Sequence, residues 1–503
     1  MINNYFNKII TPNSRILFVV LLGILFLDRT FTLVHFGFIY TDFDQTILWN
    51  GAIDYSRGIF HEPFFYGQAY NYMLESLLAV PLIWIGIPVN IALPIITSLV
   101  ALFPFVFLSV FLKRKKNYFW SSLSLIIPII LPLEYSMLTC LPRGFIQAHL
   151  FIPFLFIPLL NPSNKRNITL FFIFSGLSFI MNQSSILLIL PLTIYLFLFH
   201  YKSFSFYLKS LLFFPFLIIN YLATYYYTLN PEKIMHGMEG IHIDTKMFLS
   251  TVSNTNLFEF LFPFFSGLGF FYPILFLILG IFALTKRNKK KSLFILSFFL
   301  FLVITLSIPK VHWIYEKGGI FFSSSRFYTL LPLFLFVQLF MIFRNKQITK
   351  HWTFLILTVS ISIFLFKNIG LDEKVDRITQ NSIFPKSKVD ELQKRINEVE
   401  KISKETNCNL IISQNGMWHF AFDGYCFYPL TKNENIRMVN LHGDRRSWLY
   451  SDSEIHEKVL LHGFEINDTL FQPFTYQVID KNHIIIRNNT MNNRELTNYL
   501  NIE

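Results

Sequence analysis

Charge is what this chain has least of. Only 15% of its 503 residues are Lys, Arg, Asp or Glu, and 53% are hydrophobic, whereas soluble domains carry about 25% charged residues. An ordinary soluble enzyme is excluded. Cysteine is also scarce: Cys140, Cys408 and Cys426 are the three, and their spacing resembles no zinc site. There is no internal repeat and no low-complexity tract. The first apolar run lacks a small-residue cleavage motif, so it reads as a retained anchor rather than a removed signal peptide. What the chain has in abundance is uncharged length. Its apolar runs reach about 17 to 23 residues, enough to cross ~30 Å of hydrocarbon as a helix.

Those runs predict a mostly α, polytopic membrane protein with about eleven transmembrane helices. Their expected positions are 16–36, 90–112, 118–137, 145–160, 168–182, 184–201, 206–227, 262–285, 292–308, 326–343 and 351–366. Short cytoplasmic loops collect Lys and Arg, and one alternating topology puts every basic cluster on one side. With the N-terminus cytoplasmic, that side holds Lys8 and Arg15, 113–116, Lys165 and Arg166, Lys202 and Lys209, the 286–291 cluster, and Arg344, Lys346 and Lys350, eighteen cations without one acid. The twelve acids before residue 370, from Asp28 to Glu316, fall in outer loops or near the outer ends of spans. The net charge of +12 is therefore a sign of topology. Spread over separate loops, it forms no groove for nucleic acid. The expected location is the plasma or inner membrane, multi-pass.

Past the last span the composition turns polar and balanced in charge. Residues 1–366 read as the membrane domain and 367–503 as a small soluble α/β domain on the extracytoplasmic side. A helix is predicted over Val389 to Thr406, a strand over Asn409 to Ser413, and a hairpin from Tyr476–Ile479 and His483–Arg487 around Asp480-Lys481-Asn482. Cys408 and Cys426 are either a disulfide, if the compartment is oxidising, or two buried free thiols.

The connection at 37–89 is far longer than the others, and long loops with structure of their own are usually functional. It carries Asp42 and Asp44, an amphipathic stretch to Gly58, then His61-Glu62-Pro63-Phe64-Phe65-Tyr66-Gly67-Gln68-Ala69-Tyr70. Glu75 then opens an apolar helix too short to cross, expected to lie in the interface. Two carboxylates at i and i+2 beside a membrane have three readings: the start of a solvated loop, a general base for an incoming hydroxyl, or ligands for a divalent cation at a phosphate leaving group.

The series Asp44-Gln45, Gly58, Pro63 to Tyr70 and Leu74-Glu75 resembles the first outer loop of bacterial GT-C class membrane glycosyltransferases, a class resembling the protein O-mannosyltransferases and the lipid A aminoarabinose transferase. Leu141-Pro142-Arg143-Gly144-Phe145 resembles that class's Arg-Gly-Tyr segment, and Ser325-Arg326-Phe327-Tyr328-Thr329-Leu330-Leu331-Pro332 its Arg-Tyr-Leu-Leu-Pro segment. Three departures stand out: Gln45 for the commoner Glu, Ala69 for Pro and Phe145 for Tyr.

The resemblance implies a donor sugar on a polyprenyl phosphate, a glycolipid, polysaccharide or protein acceptor, and Asp44 as catalytic base. Asp42 is expected to assist it. Arg143 and Arg326, cations at the outer ends of apolar segments where unpaired charge is expensive, are candidate clamps for the leaving phosphate; snorkelling or pairing with an acid such as Glu134 is the plainer account. Tyr66, Gln68, Tyr70 and Glu75 are candidate substrate contacts, though interfacial tyrosines also serve as belt anchors and Glu75 as a helix-start acid. Asp28 and Arg29 do not face each other on a helix and call for separate partners. No cofactor is assigned beyond the candidate cation. A flippase for lipid-linked glycans or a non-catalytic family member remains the alternative, but no intramembrane charge on the cytoplasmic half marks a polar path across.

Overall fold

The computed structural model describes residues 15–500 except 231–232, 234–241, 254–257, 262–270, 287, 313–326, 344–349, 382–386, 415–417, 442–445, 447–448, 450–453 and 466–467. Helix dominates it. Helix α1 (Arg15–Thr32) continues through a π turn, Leu33–Gly37, into a two-residue strand β1 (Tyr40–Thr41). Two helices then fill the long connection, α2 (Phe43–Ser56) and α3 (Leu74–Trp84), before α4 (Val89–Arg114). Next come α5 (Tyr118–Ile130), α6 (Leu133–Leu138), α7 (Lys165–Met181), α8 (Ile186–His200) and α9 (Phe214–Thr228). The helical part closes with α10 (Phe271–Thr285), α11 (Lys289–Thr305), α12 (Leu331–Phe343), α13 (Lys350–Asn368) and α14 (Leu371–Gln380).

Among the described residues four helical stretches are long and apolar enough to cross a membrane, Leu17–Gly37, Val89–Arg114, Gln183–His200 and Phe204–Thr228, and five shorter helices are also apolar. Proline accounts for two departures from the expected spans. The run at 118–137 divides at Pro132, between α5 and α6. The run at 145–160 is not one helix: a 3₁₀ turn, Gln147–Leu150, is followed by two four-residue helices, Ile152–Leu155 and Ile157–Leu160, each with a proline in its first turn. A proline lacks the N–H that would bond back to the preceding turn, so each one restarts the helix.

After a two-residue strand β2 (Ser387–Lys388) come α15 (Val389–Thr406), β3 (Leu410–Ser413), α16 (Trp418–Thr431), β4 (Arg437–Asn440), β5 (Lys458–His462), β6 (Thr475–Asp480), β7 (His483–Arg487) and α17 (Asn493–Leu500). The last five strands form one sheet in the order β4-β3-β5-β7-β6, with β3 parallel to β4 and β5, and β7 antiparallel to β5 and β6. Helix α15 buries Val389, Leu392, Ile396 and Val399, a spacing of three and four that makes one apolar face. Each such side chain contributes about 1.5–3 kcal/mol when fully buried. Asn407 ends the helix in the left-handed region (φ 55°). β3 is buried at every residue while edge strand β6 is exposed at every residue. Cys408 and Cys426 are both buried and free.

β1 and β2 pair antiparallel, Tyr40 opposite Lys388 and Thr41 opposite Ser387. That short ribbon ties the chain just ahead of Asp42 to the start of the C-terminal sheet region, and Val389 N–H extends it by donating to Ile39 C=O (2.8 Å).

Candidate active site

Helix α2 starts where its sequence says it should. Asp42 is extended (φ −144°, ψ 174°) and caps the helix, its Oδ1 accepting from Gln45 N–H at 3.1 Å. This satisfies one of the open donors of a helix N-terminus and is worth about 1 kcal/mol. The Gln45 side chain reaches back as well, Nε2 donating to Asp42 Oδ2 at 3.0 Å. Asp44 lies in the first helical turn, where the helix dipole favours negative charge.

Arg143 comes to this turn from a loop 99 positions away in sequence, and it binds both acids: Nε is 2.9 Å from Asp42 Oδ2 and Nη2 is 3.6 Å from Asp44 Oδ2. The Arg143 and Asp42 side chains are enclosed, 3% and 1% exposed, while Asp44 is 29% exposed. The three residues singled out at 42, 44 and 143 therefore converge, and Asp44 is the one that solvent or a substrate can touch. Burial pushes the Asp42 carboxyl above its ordinary range, with the Arg143 charge and the Gln45 bonds pulling it back down. A guanidinium thus lies against both carboxylates, the position that a divalent cation bridging them would need. Among the described residues no three His, Cys, Asp or Glu side chains gather as metal ligands.

The loop bearing Arg143 is held from below. Gly144 follows it with φ +79°, and a Cβ there would come within 3.2 Å of Gln147 Nε2. Gln147 clasps the loop to the start of α3: its Oε1 accepts from Leu74 N–H (2.6 Å), and its Nε2 donates to Gly144 C=O (2.7 Å) and to Tyr72 C=O. Glu75 is fully buried beside them and accepts from Thr97 Oγ1 of α4 at 2.6 Å. The N–H groups of Gly144 and Ile146 ease its charge, yet Oε1 completes no hydrogen bond of good geometry among the described residues. Burial pushes the Glu75 carboxyl up to about 7.

The aromatic loop is structured from within. Tyr66 is fully buried and donates to Asp54 Oδ2 at 2.7 Å. His61 Nε2 lies 3.8 Å from the same oxygen, and burial raises the Asp54 carboxyl. Gly67 takes φ +72°, a conformation that glycine adopts readily, and its N–H points to Glu62 Oε2 at 3.4 Å. Glu62 is itself fully buried and accepts from Tyr227 of α9 at 2.8 Å. Gln68 is 8% exposed and Tyr70 is partly exposed. Arg326 lies outside the described residues. Asp28 and Arg29 have separate partners: Asp28 Oδ2 accepts from Lys367 Nζ (2.8 Å), and Arg29 Nη1 donates to Ser136 C=O (2.8 Å) and Thr139 Oγ1 (3.0 Å).

Gln147, Thr97, Asn50 and Tyr227 are the organising residues that sequence reading passes over. The first two have a signal, being polar side chains inside runs expected to span. Tyr227 lies at the very end of such a run, and Asn50 has no signal.

No family model and no curated protein sequence matches this chain. Solved structures do. ArnT from Cupriavidus metallidurans superposes with a TM-score of 0.52 at 8% identity, covering 93% of this chain and 97% of ArnT, both in the apo state and in a second structure bound to undecaprenyl phosphate. The fold is ArnT-like. At 8% identity the likeness is one of fold, and it extends over nearly the whole length of both chains.

Proposed function

We propose that this chain is a membrane glycosyltransferase that moves a sugar from a polyprenyl-phosphate carrier to a hydroxyl of a glycolipid, polysaccharide or protein, at the extracytoplasmic face. The observation that carries the reading is the convergence of Asp42, Asp44 and Arg143 at the start of α2, with Asp44 partly open. The one-sided distribution of Lys and Arg supports an outward orientation for this end of the bundle. A fold shared with a protein solved bound to undecaprenyl phosphate supports the choice of donor.

In this reading Asp44 takes the proton of the acceptor hydroxyl as its oxygen forms a bond to the anomeric carbon. The bond from that carbon to the phosphate oxygen breaks, its electron pair leaves with the polyprenyl phosphate, and the anomeric configuration inverts. Arg143, enclosed between the acids, orients Asp44. Asp42 holds Arg143, and the Glu75–Gln147 foundation fixes the loop that carries it. The leaving phosphate is assigned to Arg326 on sequence grounds, and Gln68 and Tyr70 to the sugar.

Asp44→Asn tests the base. General base catalysis contributes about 10²–10⁴-fold, so the variant should lose at least about 100-fold in transfer from a labelled polyprenyl-phosphate sugar while keeping its melting temperature. Full transfer by a folded variant would remove Asp44 from the mechanism. Wild-type protein that is inert towards every lipid-linked sugar tried, yet moves glycan across liposomes, would make it a flippase.

A further inference from the structure

A cavity of about 350 Å³ opens beside α14, the helix that bonds to His35 and Tyr40 just ahead of Asp42. One wall is the turn from α5 to α6, at Leu131 and Glu134. The other is the end of α13, at Ile363 and Phe366, and α14 closes the cavity with Lys374 and Arg377. Its volume lies within the range of small-molecule pockets, and Phe366 is 74% exposed beside it.

The polar groups in this cavity differ in how far they are already engaged. Lys367, at the base, is neutralised by Asp28 (2.8 Å) and also donates to Ser136 Oγ (2.8 Å). Lys374 Nζ caps the end of α13, donating to Phe366 C=O (2.6 Å) and Lys367 C=O (3.3 Å). Arg377 and Glu134 make no side-chain hydrogen bond or ion pair among the described residues. Among the described residues the cavity therefore presents one carboxylate and one guanidinium without hydrogen-bond partners, the carboxylate within electrostatic reach of Lys367, with a half-committed ammonium beside an apolar wall. A purely anionic guest would leave Glu134 facing a negative charge. A quaternary amine could not donate a hydrogen bond to it. A head group that joins a phosphodiester to a primary ammonium satisfies both ends.

We infer that this cavity binds a phospholipid of the aminoethyl phosphodiester type, its phosphate on Arg377 and Lys374, its ammonium on Glu134, and its first chain carbons against Ile363 and Phe366. The site rests on the membrane reading and its orientation, not on the transfer chemistry. Its position gives it a structural consequence. Helix α14 is the link from the last apolar helix to the C-terminal sheet and touches the approach to the candidate active site through His35 Nδ1 with Asp372 (2.5 Å) and Tyr40 with Asp376 (2.5 Å). A lipid seated between α6 and α14 braces that link.

The test is native mass spectrometry of the full-length protein, delipidated in detergent and back-titrated with dioleoyl phosphatidylethanolamine, phosphatidylcholine or phosphatidylglycerol. Wild-type protein should hold the ethanolamine lipid about tenfold better than either other, a difference of about 1.4 kcal/mol. Glu134→Gln should reduce the ethanolamine lipid to the level of the choline lipid. Arg377→Gln with Lys374→Gln should weaken both to a similar extent. Equal retention of the three lipids, preference for the glycerol lipid, or an ethanolamine preference that survives Glu134→Gln would overturn the assignment. Melting temperatures and transfer assays on the same variants separate the outcomes: these residues lie away from Asp44, so lipid selectivity should change while transfer by the detergent-solubilised enzyme persists.

Discussion

Gln45 shows how one side chain can decide what its neighbour is able to do. The commoner glutamate at this position would set an acceptor against Asp42 Oδ2, where the Gln45 amide now donates at 3.0 Å. With Arg143 on the same carboxylate, the amide lets Asp42 remain buried. Gln45→Glu exchanges a donor for a second negative charge in an enclosed site and should cost about 1–3 kcal/mol, the price of an unmade buried hydrogen bond, read as a lower melting temperature that partly recovers in acid. A variant as stable as wild type at neutral pH would mean that the amide does not hold Asp42. Glu75 makes the complementary case. An unfolded glutamate titrates near 4.5, and burial raises this one to about 7. Between those values the folded chain binds the extra proton, so the contribution of Glu75 to stability is fully present below about 4.5, declines as pH rises, and levels off above about 7, a span on the order of 3 kcal/mol. Glu75→Gln removes that decline. Its melting temperature relative to wild type should climb between about pH 5 and pH 7.5, and parallel curves would contradict the burial argument.

At the scale of elements, what was legible in the sequence is what local pattern controls. The apolar spacing of 389–406 has only one helical face to bury, and α15 has those bounds. The runs at 118–137 and 145–160 are interrupted where hydropathy reads them as continuous, because it counts apolar side chains but not missing N–H groups, and Pro132, Pro153 and Pro158 each break or restart a helix. Asp28 and Arg29 were legible as needing partners, but not which, since Lys367 arrives from 339 positions away. That ion pair is buried on both sides, so removing one member leaves an uncompensated charge costing about 3–5 kcal/mol, while replacing both with apolar groups is often neutral. Lys367→Met should therefore unfold at markedly lower temperature, and the double variant Asp28→Leu/Lys367→Met should recover most of the loss. No recovery in the double variant would mean the pair contributes through shape rather than charge. The Arg143 loop depends on geometry as much as on charge. Gly144→Ala forces a side chain into φ +79° and towards Gln147 Nε2, so transfer should fall even though no charged or catalytic group has changed.

Across the whole molecule, the helix that carries the candidate acids packs against the C-terminal sheet region, a pairing that no single-sequence pattern could reveal. Helix α2 carries the acids at its first turn and presents its flank to α16: Phe43 packs edge-on against Tyr425 with ring centroids 4.5 Å apart, and Asn50 Nδ2 donates to Tyr425 C=O at 2.8 Å. Arg446 closes the contact. It stacks on Tyr425 (4.6 Å), and its Nη1 donates to Asn50 Oδ1 (3.4 Å) and its Nη2 to Gly424 C=O (2.9 Å). These contacts join residues 375 and 396 positions apart, where only tertiary packing selects partners. They tie the helix that carries Asp44 to a region that supplies none of the proposed chemistry. Asn50→Leu keeps the volume but leaves Tyr425 C=O and one Arg446 N–H without their bonds, a cost of about 1–3 kcal/mol. If the C-terminal region steadies α2, amide hydrogen exchange should quicken in α2 and α16 together and transfer should fall with both still folded. If exchange quickens in α2 alone while transfer is unchanged, the bundle holds the acids by itself and the C-terminal region has another task.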